Sequence, residues 1–363
     1  GIQGEVFDSE GNKIMEVFSV KVIGKSGIKD FPCTETTVEN TKDIDKEVFD
    51  RNMRWLGEEG QKKLAMTHLG ICGVGGVGSY AALIASGLGF RKFTIIDGDA
   101  VEASNLNRLP GLGRRHIGVK KVEAVAEMLS SQSLGLEARL IGSWVQDKEA
   151  RTALKEVDIV LSCVDNNRAR LELQTLAVRY LKPLLDFGTE IHLDSQKDNV
   201  VASMGGQIRF YIPGGACLVC QGLDPARIKS PRQEDVERLT GYVRGKNETP
   251  PSVNIINAVA ASLGLELLTR YITGFATPGF HERFDLIDFS FKKMSFTKRP
   301  ECLVCGDDRA EGRGDLEEYN REPEKASFPE PFRTDRHIGY KTDIMNRIQQ
   351  VILLLEAFLS KGK

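Results

Sequence analysis

The sequence has little net charge and no recognisable export signal. Its 49 Lys and Arg residues are balanced by 51 Asp and Glu residues, which gives a net charge of -2. Nucleic-acid-binding proteins usually carry a basic surplus, so this balance argues against a nucleic-acid partner. Residues 1–5 lack the basic-then-apolar pattern of a signal peptide, and we therefore expect a cytoplasmic location.

Long apolar runs and cysteine-dense segments are also missing. No apolar run approaches the ~20 residues of a membrane span, so we expect no membrane association. Of the seven cysteines, Cys33, Cys72 and Cys163 are single and the other four form two CxxC pairs. Scattered single cysteines are typical of a reducing compartment, where thiols lie in protein cores.

The centre of the sequence alternates strand and helix patterns. Short apolar strands are predicted at His68–Cys72, Lys92–Ile96, Leu136–Ile141 and Asp158–Cys163. Helical patterns separate them at Val77–Leu88, Val119–Ser131 and Asp147–Lys155. This alternation predicts an α/β fold with a doubly wound, mostly parallel, Rossmann-like sheet.

The later part of the sequence favours antiparallel pairing. Val200–Ile212 and Arg283–Phe296 read as extended, partly alternating strands, and Val253–Tyr271 between them reads as a helix. We therefore predict that the sheet continues into antiparallel strands.

The two ends of the chain differ from the centre. Residues 1–45 form an N-terminal extension with one predicted strand over Glu16–Ile23, and the main domain covers 46–305. The charged, Pro-containing stretch 306–340 is interpreted as a linker. Apolar residues share one helical face in 341–363, which predicts an amphipathic C-terminal helix.

A glycine-rich loop follows the first central strand. Its glycines Gly73, Gly75, Gly76 and Gly78 let the backbone approach a phosphate at a helix N-terminus, and Asp97 closes the next strand where it can accept ribose hydroxyls. Alone, this pattern fits a nicotinamide dehydrogenase, an ATP enzyme or a turn with no ligand.

The residues after Asp97 favour phosphate chemistry. Asp99, Asn105, Arg108 and the pair Lys120-Lys121 place amide, guanidinium and ammonium groups close to the loop in sequence. Nicotinamide binding has no use for such a cluster. Attack of a carboxylate on an α-phosphate does, because the negative charge that gathers on the transferred group must be neutralised.

The paired cysteines predict a structural metal site. Cys217 and Cys220 form one CxxC pair, and Cys302 and Cys305 form the other. Two such pairs supply four thiolates at the tetrahedral geometry that structural zinc prefers, with no position left for water. A redox CxxC needs a single pair near a helix start and leaves the second pair unexplained.

Together these motifs resemble the ThiF/MoeB/HesA family, which includes ubiquitin-activating enzymes and sulfur-carrier adenylyltransferases. The resemblance covers about residues 49–306. It rests on the glycine loop, Asp97 with Ser104–Arg108, the run Cys163–Asn166 and the two CxxC pairs, all in the family's order. It implies an adenylyltransferase that uses ATP, Mg²⁺ and structural Zn²⁺ to activate the C-terminal glycine carboxylate of a small protein.

The resemblance also implies roles for single residues. Gly75 and Gly76 line the nucleotide phosphates, Asp97 holds the ribose, and Asn105 and Arg108 contact the triphosphate.

The charged residues at the reacting centre are assigned in the same way. Lys121 is better placed than Lys120, and Asp165 binds Mg²⁺ near the α-phosphate with Asn166 beside it. Two simpler interpretations stay open: the lysines are solvated helix charges, or Asp165 and Asn166 cap the helix that follows.

A subunit contact is implied as well. Arg51, with Arg54 as the second candidate, resembles the family's arginine that enters the neighbouring subunit's nucleotide site, which implies a homodimer or pseudo-dimer. The alternative is a surface arginine without a catalytic part.

The expected nucleophile is missing. In the family a cysteine of the crossover loop accepts the activated carboxylate, but the corresponding residues 221–252 contain no cysteine. Three explanations stay open: transfer to a separate thiol, an oxyester on Ser252 or Thr249, or replacement of an original cysteine. Ser252 is alternatively a helix cap, and Cys72 and Cys163 are expected in the core.

Four functions follow from these patterns. The first is activation of a ubiquitin-like protein for conjugation, with a conjugating enzyme as a further candidate partner. The second is adenylation of a sulfur carrier for thiamine or molybdopterin synthesis. The third is an inactive scaffold subunit of a heterodimer, and the fourth is a nicotinamide oxidoreductase, which leaves the zinc pairs without a purpose.

Overall fold

The fold is described from a computed structural model. The structure describes residues 44–132, 135–193, 200–225, 252–276, 278–306 and 311–315, and the backbone of four strands between Gly4 and Pro32. The chain divides into two units, Gly1–Glu317 and Glu318–Lys363, and every described residue belongs to the first. The predicted helix over 341–363 and most of the predicted linker lie outside the described residues.

Twelve strands and six α-helices are present in the described part of the chain. The strands are β1 Gly4–Phe7, β2 Lys13–Val17, β3 Ser19–Gly24, β4 Gly27–Pro32, β5 His68–Cys72, β6 Lys92–Ile96, β7 Glu137–Ile141, β8 Ile159–Ser162, β9 Leu184–Leu193, β10 Val201–Tyr211, β11 His281–Asp285 and β12 Ser290–Lys293. The helices are α1 Asp50–Met66, α2 Gly76–Leu88, α3 Lys121–Ser130, α4 Lys148–Leu154, α5 Asn167–Arg179 and α6 Asn254–Thr273.

Eight strands form the central sheet in the order β12-β11-β10-β9-β8-β5-β6-β7. The strands from β9 to β7 pair in parallel, whereas β10, β11 and β12 add antiparallel pairs at the β9 side. The predicted parallel sheet with an antiparallel continuation is therefore confirmed. Near-continuous apolar strands such as β8, buried at every position, are typical of a sheet covered on both faces.

Helices cover both faces of this sheet. One core contains side chains of α1, α2, α3 and α6, and the other contains side chains of α4, α5 and the two CxxC segments. The sheet is therefore doubly wound, with the metal-ligand candidates on the α5 face.

Several element predictions were wrong or incomplete. The strand expected over Glu16–Ile23 is two strands, β2 and β3, which belong to the separate hairpins β1–β2 and β3–β4. The strand expected over Arg283–Phe296 is the hairpin β11–β12, because the Asp288 carboxylate accepts the N–H of Ser290 and turns the chain. Helix α1 and strand β9 were not predicted.

Helix α6 contradicts the expectation that no apolar run approaches membrane length. Asn254–Thr273 is long and apolar enough by length and composition. However, 61% of its apolar window is buried, and it lies against α2, β9 and β10. Its apolar sequence is therefore used in the core of the described domain.

A buried ion network joins the parallel and antiparallel parts of the sheet. The Asp186 carboxylate on β9 is fully buried and accepts hydrogen bonds from Ser162 Oγ (2.7 Å), Arg170 Nε (3.1 Å) and Arg209 Nη2 (2.6 Å). Burial acts to raise the pKa of Asp186, but the two guanidinium groups outweigh it and hold the pKa below its ordinary value. One carboxylate thereby connects β8, β9, β10 and α5.

We expect Asp186→Ala to lower the free energy of unfolding by about 3–5 kcal/mol, because it leaves two guanidinium groups without their carboxylate. Urea denaturation measures this loss. Since the folded-state pKa is depressed, the stabilisation is present above the ordinary carboxylate pKa and is lost as pH falls through the folded-state value. Glu190→Ala, an exposed change on the same strand, is expected to shift stability by about 0.5 kcal/mol or less. Equal effects of the two variants would contradict the prediction.

Candidate active site

The candidate site lies where the strand order reverses. From β5 the chain continues to β6 and β7 on one side, and β8 and β9 lie on the other. The loops after β5 and β8 therefore meet at the carboxyl edge of the sheet, where open α/β sheets bind ligands. These loops carry the predicted glycines and Asp165.

The glycine loop leaves the N-terminus of α2 open. Gly75 is the N-cap residue, no side chain caps the helix, and a Cβ on Gly75 would have open space around it. A Cβ on Gly78 would lie 1.9 Å from the Gly73 carbonyl oxygen, so this turn requires glycine. The free N–H groups of the first turn suit an anionic ligand.

Asp97 joins this loop to the end of β6. Its carboxylate accepts the N–H of Val74 at 2.8 Å and the N–H of Asp99 at 2.9 Å. The side chain is almost fully buried, and burial raises its pKa, against the lowering effects of Lys121 and the two N–H donors. Asp97, the residue predicted to bind the ribose, is thus fixed against the glycine loop.

Both predicted lysines point back to the loop after β6. Lys121 Nζ forms an ion pair with Asp99 Oδ2 at 2.8 Å, and its side chain is 12% exposed. Lys120 Nζ donates to the Gly98 carbonyl oxygen at 2.8 Å. The mostly buried side chain of Lys121 is therefore held by Asp99, and its charge acts on the nearby Asp97 carboxylate.

Arg108 and Asn105 take different positions. The Cδ of Arg108 would lie 3.5 Å from a Cβ on Gly76, and its Nη1 donates to the Ser104 carbonyl oxygen at 2.6 Å. Asn105 is buried, and its Oδ1 accepts the N–H of Glu102 at 3.1 Å. The structure thus brings Arg108 to the glycine loop, while the Asn105 side chain shapes its own turn.

Asp165 and Asn166 follow β8 at the same edge. Asp165 is exposed. Asn166 is the N-cap residue of α5, where its Oδ1 accepts the N–H of Ala169 at 2.8 Å and its Nδ2 donates to Asp165 Oδ1 at 3.2 Å. The capping interpretation therefore fits Asn166, and the Asp165 carboxylate faces solvent at the edge.

Three other predicted residues lie on the surface. Arg51 is exposed in the first turn of α1, and Arg54 pairs with Asp50 of the same helix at 2.9 Å. Ser252 is exposed and does not cap α6, because the N-cap residue is Val253 and no side chain caps the helix. The capping alternative for Ser252 was therefore wrong. Thr249 lies outside the described residues.

The two described single cysteines are core thiols. Cys72 is fully buried, and its main-chain carbonyl accepts the N–H of Cys163 at 2.9 Å. Burial raises the pKa of both thiols above the ordinary value. Neutral thiols are poor nucleophiles, so the core interpretation fits both residues.

Sequence reasoning missed two residues at this edge. Trp144 is 50% exposed and packs on Gly98, where a Cβ would lie 2.7 Å from the indole ring. Asn257 on α6 contacts Gly76, where a Cβ would lie 2.2 Å from its Nδ2. Neither residue belongs to a short sequence motif. The only local signal is that Asn257 is a polar residue among the apolar residues of 255–261.

The two CxxC pairs come together on the α5 face. The side chains of Cys217, Cys220, Cys302 and Cys305 are buried, and their sulfur atoms lie within 4.8 Å of one another. The Cys217–Cys302 and Cys220–Cys305 sulfur separations are both 3.6 Å. Four ligands at ~2.3 Å from a tetrahedral zinc lie about 3.8 Å apart, so this set fits Zn²⁺.

The chain is similar in sequence to two proteins named as adenylyltransferases and to one named as a modifier-activating enzyme. It is 29% identical over 258 residues to "Adenylyltransferase and sulfurtransferase uba4" of Emericella nidulans, covering 69% of this chain and 50% of that protein. It is 25% identical over 254 residues to the Escherichia coli "Molybdopterin-synthase adenylyltransferase", covering 70% and 93%. It is 26% identical over 257 residues to "Ubiquitin-like modifier-activating enzyme 5" of Xenopus laevis, covering 67% and 60%. The chain thus spans about half the length of the first relative.

Similarity to solved structures supports the same fold. The crystal structure of E. coli MccB with ATP superimposes with a TM-score of 0.57 at 19% identity, covering 73% of this chain and 76% of that one. The family model described as "ThiF family" matches residues 49–304, which is more than half of the chain and contains the glycine loop, Asp165 and three of the four paired cysteines. The chain therefore belongs to the ThiF family.

Proposed function

We propose that this chain is an ATP-dependent adenylyltransferase that activates the C-terminal glycine carboxylate of a small protein. The observation that carries the proposal is the placement of Asp97, Lys121 and Arg108 around a glycine loop whose sheet edge also bears Asp165. The names of the sequence relatives quoted above support the same reaction class.

The nucleotide lies along the sheet edge from β7 to β5. The half-exposed Trp144 ring next to Gly98 offers an apolar platform for the adenine. Asp97 accepts the ribose hydroxyls, and the phosphates approach Gly75 and Gly76 at the N-terminus of α2.

The chemical step is an in-line displacement at the α-phosphorus. A carboxylate oxygen forms the new bond to phosphorus, and pyrophosphate leaves with the electron pair of the broken bond. The guanidinium of Arg108 and the ammonium of Lys121 neutralise the charge that gathers on the transferred group, with Asn105 holding the Arg108 loop. The exposed Asp165 carboxylate would hold Mg²⁺, which would supply further positive charge at the phosphates.

We favour a ubiquitin-like protein as the carrier. The X. laevis relative is named an activating enzyme for a ubiquitin-like modifier, which supports this choice. The alternative is a sulfur carrier of molybdopterin or thiamine synthesis, and the name of the E. coli relative supports molybdopterin synthesis. An inactive scaffold subunit is disfavoured, because Asp97, Lys121 and Asp165 are all retained at the edge.

The same proposal includes a homodimer. Arg51 is exposed in the first turn of α1, where its guanidinium can reach a second copy. A conjugating enzyme is the expected downstream partner if the carrier is ubiquitin-like.

Pyrophosphate exchange tests the adenylation step. With ATP, Mg²⁺ and a carrier ending in Gly-Gly, we expect Asp165→Ala to lower exchange by about 100-fold or more, because it removes the metal ligand at the phosphates. Asp288→Ala, an exposed change on the β11–β12 hairpin, is expected to leave exchange unchanged. Binding of NAD without binding of ATP would reverse the proposal. Running ubiquitin-like and sulfur-carrier proteins in parallel identifies the preferred carrier.

The onward transfer is proposed to use a hydroxyl. Cys72 is buried and Cys163 is partly buried, and the raised pKa of each keeps both thiols un-ionised, so neither accepts the acyl group. Ser252 is exposed just before α6 and is free of a capping role. A serine acceptor needs a nearby base, since its hydroxyl is weakly nucleophilic. The alternative is direct transfer from the acyl-adenylate to a separate thiol.

Intact-mass analysis after incubation with ATP and the carrier tests this acceptor. We expect a hydroxylamine-labile adduct that disappears in Ser252→Ala and persists in Ser262→Ala, an exposed serine change on α6. A wild-type protein that performs exchange but forms no adduct would exclude the oxyester.

We propose that the four paired cysteines bind one structural Zn²⁺. Arg299 supports the site, because it donates to the Val219 carbonyl oxygen at 3.2 Å and also bonds Cys220. Its positive charge offsets part of the charge of four thiolates.

Metal analysis of the purified protein tests the zinc site. We expect about one zinc per chain, loss of the metal in Cys302→Ser, and a loss of stability of about 3 kcal/mol or more. Cys72→Ala is expected to keep its zinc. Zinc-free protein with wild-type stability would contradict the proposal.

A further inference from the structure

Asn257 is a buried amide that lacks a partner for its donor group. It lies in the first turn of α6 and is 1% exposed. Its Nδ2 has no hydrogen-bond partner among the described residues. Buried polar groups are normally paired, so an unpaired amide at a site edge points to a ligand.

The Asn257 amide bridges the glycine loop and β9. Its Oδ1 accepts a hydrogen bond from Thr189 Oγ1 at 3.4 Å, which turns Nδ2 away from β9. Nδ2 then lies against Gly76, where an added Cβ would be only 2.2 Å away. Arg108 Cδ would lie 3.5 Å from the same Cβ. The donor is therefore placed at the N-terminus of α2, next to the phosphate-binding loop.

The position of Asn257 relative to the glycine loop distinguishes between the nucleotide and the co-substrate as its ligand. Asp97 and Trp144 follow β6 and β7, so the nucleoside occupies that side of the loop. Asn257 bonds to Thr189 of β9, which lies beyond β8 on the opposite side. The co-substrate must enter from that side, because the first side holds the nucleoside.

We propose that Asn257 Nδ2 donates a hydrogen bond to the terminal carboxylate of the carrier protein and holds it for attack on the α-phosphorus. This inference rests on the proposed adenylation. The bound carboxylate oxygen forms the bond to phosphorus, the bond to the pyrophosphate oxygen breaks, and pyrophosphate leaves with its electron pair. Asn257 transfers no proton.

A neutral amide suits this task. A lysine or arginine would bind the carboxylate more strongly, but would draw electron density from the oxygen that attacks. An amide N–H orients the oxygen with less loss of nucleophilicity, and Thr189 fixes which end of the amide faces the site.

The test compares exchange kinetics with ATP affinity. Asn257→Asp replaces the donor with a carboxylate of the same shape. At pH 8 we expect kcat/KM for the carrier in pyrophosphate exchange to fall about 100-fold, and ATP affinity by equilibrium dialysis to fall by a smaller factor, about 10-fold or less, because the new carboxylate also repels the nucleotide phosphates. Lowering the pH toward 6 is expected to restore part of the exchange in this variant, because the introduced carboxyl group donates again once it is protonated. Ser262→Ala on the same helix is the matched control.

Thr189→Val provides a second variant that keeps Asn257 and removes only the group that orients it. We expect a fall of about 5- to 10-fold in kcat/KM for the carrier with unchanged ATP affinity. Wild-type exchange in both variants would overturn the inference, as would a fall in ATP affinity in Thr189→Val that matches its fall in exchange, which would assign Asn257 to the nucleotide. Failure of the wild-type protein to exchange with any carrier would instead overturn the proposed function on which the inference rests.

Discussion

The hydrogen bond from the Val74 N–H to the Asp97 carboxylate is the contact on which the site depends. It holds the glycine loop after β5 against the end of β6 at 2.8 Å. Because the same carboxylate also accepts the Asp99 N–H, one side chain sets the relative positions of two loops. Burial of this carboxylate disfavours its charged form and raises the pKa of Asp97, and the Lys121 ammonium offsets part of that rise.

The other charged groups follow from that constraint. The hydrogen bond from the Asp99 N–H to Asp97 positions Asp99, whose carboxylate forms an ion pair with Lys121. The Lys121 side chain therefore lies against the loop after β6 and is mostly shielded from solvent. The chain after Asp99 then brings Arg108 to Gly76. On the far side of β8, the Asp186 network holds β9 in place, and with it Thr189 and Asn257. The site is thus fixed from both sides of the strand at which the order reverses.

The sequence predicted the parts of this arrangement that depend on local patterns. Glycine spacing, Asp97 at the end of an apolar strand and the two CxxC pairs are all visible without coordinates. Strand β9 was missed because the buried Asp186 and Gly188 interrupt its apolar pattern, and only tertiary contacts with Arg170 and Arg209 make a charge acceptable there. The contact of Asn257 with Gly76 joins residues far apart in sequence and carries no local signal.

The contrast between the proposed activation and the proposed transfer has a physical basis in the described residues. Activation needs fixed charges at the carboxyl edge of a rigid sheet, and parallel strands provide them. Transfer needs an accessible nucleophile, and the two thiols nearest the glycine loop are unsuited to it, because Cys72 and Cys163 are kept un-ionised by the burial that the sheet requires. A thiol in this core cannot be both packed and reactive. In the proposed transfer, the acceptor therefore comes from outside the core, as with the exposed Ser252 just before α6, or from another protein.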